Sequence, residues 1–288
     1  MQGTVDGFSY GLVTPLVAFL MACLGGALGL RCTTRALVVA HSWRPGWLAL
    51  ASAAIGSGIW TCHFIAMTGF EIAQAPIGYD RTTTYASLAL AIVMVGAGIF
   101  IVGYKGAKGY PLFTGGAITG LGVASMHYLG MAGMHFDGWF SYDLPTVAAS
   151  VVIGVVAATA ALWAAGQVRG FLWSVGATFV MGLAVCGMHY TGMAALSVHL
   201  HGTGDAGSGD SPAVLLAPML IGPLAFLLLA GVVVIFDPLV VVGRRDWAPA
   251  EEKPGVPARA LVPHQTRRTL ARPARALDHQ GSVGYRNL

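Results

Sequence analysis

The chain has 288 residues, of which 56% are hydrophobic and only 10% are charged, and its mean hydropathy is +0.69. Soluble domains carry about 25% charged residues, so this composition excludes an ordinary soluble domain and predicts a protein that crosses a lipid bilayer. The formal net charge of +4 is unevenly spread, because nine of the sixteen Lys and Arg residues lie in the last 45 positions. The four cysteines fall within or beside apolar segments, which argues against a secreted disulfide framework.

Seven segments are long and apolar enough to cross a bilayer as helices, which takes about 20 residues each. They lie at roughly 10–30, 47–67, 84–104, 113–134, 146–165, 171–196 and 214–236. We therefore predict an all-α membrane protein with seven transmembrane helices in residues 1–236. The first nine residues contain no Lys or Arg, which argues against a secretory signal and predicts that the first segment is a retained span.

The basic residues predict an orientation for these helices. Fifteen of the sixteen fall on one side of the predicted spans, and only Arg81 falls on the other. By the positive-inside rule the fifteen lie in the cytoplasm, with the N-terminus outside and the C-terminus inside. Residues 237–288 are rich in Pro and Arg and lack periodicity, so we expect a disordered, basic cytoplasmic tail. Its arginines suit the anionic lipids of the inner leaflet, and no nucleic-acid partner is expected.

A histidine followed four residues later by a methionine is the main repeated feature of the chain. It occurs three times, as His63 with Met67, His127 with Met131 and His189 with Met193. The histidines are 64 and 62 residues apart, and a shared period indicates an internal repeat. We predict three parallel two-helix repeats around an axis along the membrane normal, followed by a seventh helix. Each motif falls near the outer end of an even-numbered helix, so the three histidines are expected at one depth.

Positions four residues apart lie on one face of a helix, so each motif presents an imidazole and a thioether in the same stripe. Copper accepts both of these neutral ligands, which calcium and magnesium reject, and an ionisable group inside a span is by default a candidate functional site. Haem is the main alternative, because His/His and His/Met pairs also ligate haem iron. The chain lacks a C-x-x-C-H signature, so any haem would be non-covalent. Structural hydrogen bonding by the three histidines also stays open.

Polar residues one or two turns beyond the motifs are possible accessory ligands at the water boundary. They are Glu71, His135, Ser197 and His201. Met126 and Met188 directly precede their histidines and point about 100° away around the helix. They therefore rank below Met131 and Met193 as ligands.

The segments Met126-His127-Tyr128 and Met188-His189-Tyr190-Thr191, at the outer ends of alternating predicted helices, resemble the signature of the MHYT domain. This family comprises bacterial integral-membrane sensors, and the resemblance covers roughly residues 10–236. It implies a multi-pass protein of the bacterial cytoplasmic membrane that binds copper near the outer surface and senses oxygen, carbon monoxide or nitric oxide. The copper ligands that it implicates are His63, Met67, Met126, His127, Met131, Met188, His189 and Met193, with the motif tyrosines Tyr128 and Tyr190 as possible accessory residues.

This sequence departs from the family pattern in two respects. The first copy of the motif has Cys62 in place of methionine and Phe64 in place of tyrosine, so Cys62 is a further accessory candidate. Members of the family are often fused to cyclic-dinucleotide enzymes or kinases, and the 52 residues after position 236 are too few for such a domain. We expect a stand-alone form that signals through a separate partner or through its tail.

These observations together predict a membrane sensor with a copper-type site that responds to a diatomic gas or to redox state, and not an enzyme. The sequence shows no nucleophile and base pair, phosphate-binding loop or paired intramembrane carboxylates. Three alternatives stay open: a copper-handling or transport protein, a haem-binding electron-transfer protein, and a structural bundle without a cofactor.

Overall fold

The computed structural model describes residues 2–7, 9–167, 171–201 and 210–236. The predicted tail, residues 237–288, lies outside the described residues. The seven helices are α1 (Val13–Ala36), α2 (Arg44–Met67), α3 (Arg81–Lys105), α4 (Gly109–Ala132), α5 (Leu144–Gln167), α6 (Phe171–Ala194) and α7 (Pro212–Ile235). The six short strands are β1 (Val5–Asp6), β2 (Glu71–Ile72), β3 (Gly78–Tyr79), β4 (Met134–His135), β5 (Gly138–Tyr142) and β6 (Leu196–Leu200).

The helix lengths confirm an all-α membrane protein. Each helix has 24 or 25 residues, which at a rise of 1.5 Å per residue exceeds the hydrocarbon thickness of about 30 Å. Six of the seven are also apolar enough to cross a membrane. The exception, α4, has the same length but contains six glycines among its 24 residues, which lower its hydropathy.

Helices α1 to α6 form a closed ring in which each helix packs against the next and α6 packs against α1. Helix α7 lies outside the ring, mainly against α2. The even-numbered helices α2, α4 and α6 also contact one another across the centre. The ends of these three helices, where the sequence motifs occur, therefore surround a common axis.

The sequence analysis did not predict the strands, which form three two-stranded antiparallel sheets: β1 with β2, β3 with β4, and β5 with β6. In each sheet the segment before an odd-numbered helix pairs with the segment after the next even-numbered helix. The structural repeat is therefore strand, helix, helix, strand. Strands of two to five residues are too short for alternating hydrophobicity to reveal them.

A backbone hydrogen bond recurs at the same place in all three repeats. The N–H groups of Ser9, Asp80 and Asp143 donate to the carbonyls of Gly69, Gly133 and Ala195 at 3.2, 2.8 and 2.9 Å. The three acceptors follow the three motifs and are separated by 64 and 62 residues, as the histidines are. Each bond ties the start of an odd-numbered helix to the end of its even-numbered partner, which sets the three motifs at one depth.

Charge separates the two ends of the bundle. Among the described residues, the acidic side chains lie at the end that carries the sheets, which we call the strand end: Asp6, Glu71, Asp80, Asp137, Asp143 and Asp210. The opposite end, which we call the basic end, carries Arg31, Arg35, Arg44, Lys105 and Lys108. Within the described part of the chain, Arg81 alone is a Lys or Arg at the strand end.

Glycines at equivalent repeat positions let the repeats approach one another. A Cβ added to Gly56 would lie 2.8 Å from the Cα of Ile92, and one on Gly120 would lie 2.4 Å from the Cα of Val155. A Cβ on Gly182 would lie 2.6 Å from the Sγ of Cys23 on α1. These contacts join α2 to α3, α4 to α5 and α6 to α1, so they close the ring.

We expect Gly120→Ala to lower the free energy of unfolding by about 1–3 kcal/mol, because the new methyl group meets backbone that cannot rotate away. Unfolding in detergent, followed by circular dichroism, measures the change. Gly222→Ala on α7 is the matched control, since nothing lies within 4 Å of its added Cβ and the substitution should leave stability equal or higher. Equal stabilities for the two variants would contradict the close packing of α4 on α5.

Two aspartates at the strand end predict a loss of stability in acid. Hydrogen bonds from the backbone N–H and hydroxyl of Thr83 lower the pKa of Asp80, and those from the hydroxyl and backbone N–H of Thr146 lower the pKa of Asp143. Their stabilising contribution is present above the ordinary aspartate range and is lost as pH falls through the lowered pKa values. The melting temperature of an Asp80→Ala/Asp143→Ala variant should therefore lie below that of the wild type at neutral pH and converge with it as pH falls through the lowered pKa values.

Candidate metal centre

Helices α2, α4 and α6 bring His63, His127 and His189 together on the bundle axis. The Nδ1 atoms are 3.0 Å apart for His63 and His189, 3.2 Å for His63 and His127, and 3.3 Å for His127 and His189. The ring planes are nearly perpendicular to one another, at 76° to 89°. All three side chains are buried. Among the described residues, this cluster is the one group of three or more His, Cys, Asp or Glu residues arranged closely enough to hold a metal ion.

Three imidazoles in this arrangement cannot satisfy one another. Each Nδ1 carries either a proton or an in-plane lone pair. At least two of the three Nδ1 atoms must therefore be in the same protonation state. Every protonation pattern then leaves at least one contact between two donors or between two acceptors. A cation at the centre removes this conflict because all three nitrogens can then present lone pairs. Tetrahedral metal–nitrogen bonds of about 2.0–2.1 Å place nitrogens about 3.3–3.4 Å apart, within a few tenths of an ångström of the observed spacing.

The outward nitrogens of two rings add a second unsatisfied feature. The Nε2 atoms of His63 and His127 are buried and have no hydrogen-bond partner among the described residues. A buried polar atom without a partner costs about 1–3 kcal/mol. A buried nitrogen without a partner at the same position in two repeats is more typical of a ligand-binding site than of side chains that only pack together. The residues present therefore fit a bound ion.

Glycines on the neighbouring motif helix provide the space for two of these rings. A Cβ on Gly130 would lie 2.7 Å from the Nε2 of His63, and a Cβ on Gly192 would lie 2.6 Å from the Nε2 of His127. Both glycines stand between the histidine and the methionine of their own motif, where the first copy has Ala66. The sequence analysis missed these residues, although their repetition within the motif was a visible signal.

A small cavity of about 10 Å³, large enough for about one water molecule, adjoins the histidine cluster. The sulfur-containing residues that line it are Cys62, Met126 and Met188, which directly precede the three histidines. They occupy equivalent repeat positions, so the cavity has one sulfur-bearing side chain from each motif helix. Three helices around an axis each expose a broad face to the centre, and a position 100° from the histidine therefore still faces inward.

The methionines one turn beyond the histidines lie elsewhere. Met67 and Met131 are buried in the hydrophobic core, and Met193 is partly buried against it. In the described part of the chain none of the three lines the cavity beside the cluster. The structure thus places the histidines and the residues preceding them around one small cavity, and the ligand role predicted for Met67, Met131 and Met193 stays a prediction.

Cys186 is a further residue near the site that the sequence analysis did not select. Its Sγ lies 3.9 Å from the Sγ of Cys62, across the contact between α6 and α2. Cys186 does not occupy the repeat position of Cys62, and the two are 124 residues apart. No local sequence signal could have paired them, because the contact exists only when the ring closes.

An aromatic ring stands edge-on to each imidazole. Phe64, Tyr128 and Tyr190 contact the histidine that precedes each of them, with ring centroids 4.6, 4.8 and 4.9 Å apart. The hydroxyl of Tyr128 is engaged with the hydroxyl of Ser150 at 2.7 Å. Phe64 makes the same ring contact without a hydroxyl, so the packing of the imidazole does not depend on one.

The remaining accessory candidates lie on the strands, or directly after one in the case of His201, and outside the histidine cluster. Glu71 is in β2, His135 is exposed in β4, and Ser197 is in β6. His201 is exposed and its Nδ1 lies 3.3 Å from an Oδ1 of Asp137. The helices end at the motifs and the chain turns into strands, so the helical stripe does not continue to these residues.

Gly192→Ala should displace the imidazole of His127 and lower metal affinity at least tenfold, because the added Cβ would lie 2.6 Å from Nε2. Competition against a chelator measures the affinity. Gly187→Ala on the same helix has nothing within 4 Å of its added Cβ and should bind metal as the wild type does. A Gly192→Ala variant with unchanged affinity would show that His127 does not hold the ion.

Comparison with known proteins places the repeats in a family context. The MHYT family model, described as "Bacterial signalling protein N terminal repeat", matches residues 56–115 and 120–177. Each match begins in one even-numbered helix and ends in the next even-numbered helix. The matched units are therefore offset by about half a repeat from the strand, helix, helix, strand repeat of the structure. No solved structure matches the chain significantly.

Curated relatives are longer signalling proteins. The chain is 34% identical over 235 residues to the bifunctional diguanylate cyclase/cyclic di-GMP phosphodiesterase MucR of Pseudomonas aeruginosa, covering 80% of this chain and 34% of MucR. It is 33% identical over 213 residues to the cyclic di-GMP phosphodiesterase NbdA of the same organism, covering 68% and 26%. It is 25% identical over 198 residues to the signaling protein YkoW of Bacillus subtilis, covering 66% and 24%. The chain thus spans between 24% and 34% of these relatives' lengths.

Proposed function

Because this chain belongs to the MHYT family of bacterial signalling proteins, through the repeats matched at residues 56–115 and 120–177, we propose that it is a membrane sensor that binds copper at His63, His127 and His189. The observation that carries the proposal is the meeting of three buried Nδ1 atoms within 3.3 Å on the bundle axis. Three conflicting ring nitrogens inside a membrane protein favour a bound cation over a structural hydrogen-bond network.

Copper is the cation that best suits the residues present. The three imidazoles would hold it, and the side chains of Cys62, Met126 and Met188 lie next to them around the small cavity. Imidazole together with soft sulfur favours copper over calcium or magnesium, and no carboxylate belongs to the cluster. When bound, copper supplies an open coordination position for a diatomic gas such as oxygen, carbon monoxide or nitric oxide, and a change of oxidation state.

Ligand binding or a redox change at the metal site would move the helices that carry the histidines. Each of α2, α4 and α6 carries one of the three histidines, so any change in the spacing of the Nδ1 atoms must shift these helices relative to one another. The burial of the rings keeps bulk water away from the site. A ligand that favours one helix arrangement then changes its population, and the difference reaches the basic end through the helices.

We propose a sensing and not a catalytic role for the chain. MucR and NbdA are named for cyclic di-GMP enzymes, but the chain aligns with only 34% and 26% of their lengths. Their activities are therefore not transferred to it. A separate signalling partner at the basic end is the proposed route of output.

The bundle is proposed to lie in the bacterial cytoplasmic membrane with its basic end in the cytoplasm. Arg31, Arg35, Arg44, Lys105 and Lys108 at that end, against the acidic strand end, support this orientation by the positive-inside rule. The histidine cluster then lies near the outer surface.

The rival cofactor is less well supported by the geometry. Haem ligation by two of these histidines would require a macrocycle between nitrogens that are 3.0–3.3 Å apart, and that spacing admits a single ion. Copper transport would need ligands along a path, whereas the axis on the basic side of the cluster is lined mainly by apolar residues and ends at Arg44, Lys105 and Lys108.

Metal analysis and visible spectroscopy on the purified protein test the proposal. We expect about one copper per chain in the wild type and none in a variant with His63, His127 and His189 all changed to Ala. His135→Ala, an exposed histidine outside the cluster, is the matched control and should keep its copper. Carbon monoxide added to the reduced, copper-loaded protein should give a C–O stretching band in the infrared that the triple variant lacks.

The same preparation separates the alternatives. Copper retained by the triple variant would place the metal elsewhere, and a Soret band would favour haem. A Met126→Leu/Met188→Leu variant should lower copper affinity more than Met131→Leu/Met193→Leu, because only the first pair lines the cavity beside the cluster. The reverse order would restore the methionines one turn beyond the histidines as the sulfur ligands.

A further inference from the structure

A second and much larger cavity lies on the bundle axis, between the histidine cluster and the basic end. Its volume is about 610 Å³, and we call it the axial chamber. Residues of α1 to α6 all contribute to its wall. This volume falls within the range of about 300–1,000 Å³ that is typical of small-molecule binding sites.

The wall of the axial chamber is mainly apolar, and small side chains make the space. Helix α5 faces the chamber mainly with residues that carry no side chain beyond Cβ, although Leu162 and Gln167 also line it. The small residues are Gly154, Ala157, Ala158, Ala161, Ala164, Ala165 and Gly166. Other helices add aliphatic residues such as Leu30, Ile55 and Val95. An aliphatic chain suits this wall because it needs no hydrogen-bond partner, whereas a polar group without a partner would be costly to bury there.

The mouth of the chamber at the basic end is positively charged. Arg44, Lys105 and Lys108 line it, and no acidic side chain is among the described residues that do. The guanidinium of Arg44 donates to the carbonyl of Gly103 and lies 5.1 Å from the ring centroid of Tyr104. Its Nε is buried and has no hydrogen-bond partner among the described residues. The mouth therefore offers an anion three positively charged side chains, which no acidic side chain among the described lining residues balances.

The opposite end of the chamber meets the histidine site. Ile59, Val185 and Met188 line both the axial chamber and the small cavity beside the histidine cluster. A molecule bound in the axial chamber would therefore contact side chains that also line the small cavity beside the histidine cluster.

We propose that the axial chamber binds a free fatty acid, with its aliphatic chain along the small-residue face of α5 and its carboxylate at Arg44, Lys105 and Lys108. A cation is disfavoured by the charged mouth, and a neutral hydrocarbon would leave that mouth unused. A single aliphatic chain with one carboxylate suits an apolar chamber that carries its positive charge at one end. This assignment does not depend on copper, since none of the residues at the mouth belongs to the histidine cluster.

Binding of radiolabelled palmitate to the full chain, in nanodiscs of zwitterionic phosphatidylcholine, tests the proposal. Ala161→Leu on the chamber wall should weaken binding at least tenfold. Ala160→Leu, the neighbouring residue on the exposed face of α5, is the matched control and should bind as the wild type does. Equal affinities for the two variants would overturn the assignment of the chamber.

The charged mouth is tested separately, which keeps the proposal falsifiable if Ala161→Leu fails to fold. Lys105→Gln/Lys108→Gln should weaken palmitate binding several-fold, and Arg81→Gln at the strand end should not. Displacement of palmitate by hexadecanol as effectively as by unlabelled palmitate would overturn the role of the carboxylate. Displacement by phosphatidylglycerol at equal concentration would overturn the single-chain assignment.

A last comparison separates this site from the proposed sensor site. The variant with His63, His127 and His189 changed to Ala should still bind palmitate, because those side chains do not line the axial chamber. Loss of palmitate binding in that variant, with its helices intact by circular dichroism, would contradict the assignment of palmitate to a chamber that these histidines do not line.

Discussion

The contact between three buried imidazole nitrogens is the constraint on which the rest of the structure depends. No protonation pattern satisfies all three contacts, so the surrounding fold must hold the rings together. It does so by repetition. One backbone hydrogen bond per repeat sets the helix ends at the same depth, and glycines at equivalent positions join each repeat to the next. The three helices can then present one histidine each to the same point.

The first copy of the repeat breaks this symmetry. It has Cys62 for methionine, Phe64 for tyrosine and Ala66 for glycine, and all three changes lie within one turn of His63. Its helix α2 is also the one against which α7 packs, and the one whose thiol approaches Cys186. Because the three copies share one axis, a single deviating copy is enough to make the centre asymmetric. One side of the site therefore differs chemically from the other two.

The axis joins two compartments of opposite character. The small cavity beside the histidines is lined by sulfur and imidazole, whereas the axial chamber is aliphatic and ends in positive charge. Ile59, Val185 and Met188 form the wall that they share. A shared wall of packed side chains gives the two compartments a physical means of influencing each other, since packed interiors do not deform continuously.

The sequence by itself determined the seven helices, the repeat period and the histidines, because apolar segment length and regular spacing are local properties. The largest error in a helix boundary is the end of α1, predicted at residue 30 and found at Ala36. Only the tertiary structure decided the strands, the position of Met126 and Met188 at the cavity beside the cluster, the approach of Cys186 to Cys62, and the axial chamber. Each of these depends on contacts between segments far apart in the chain, which form when the ring of six helices closes.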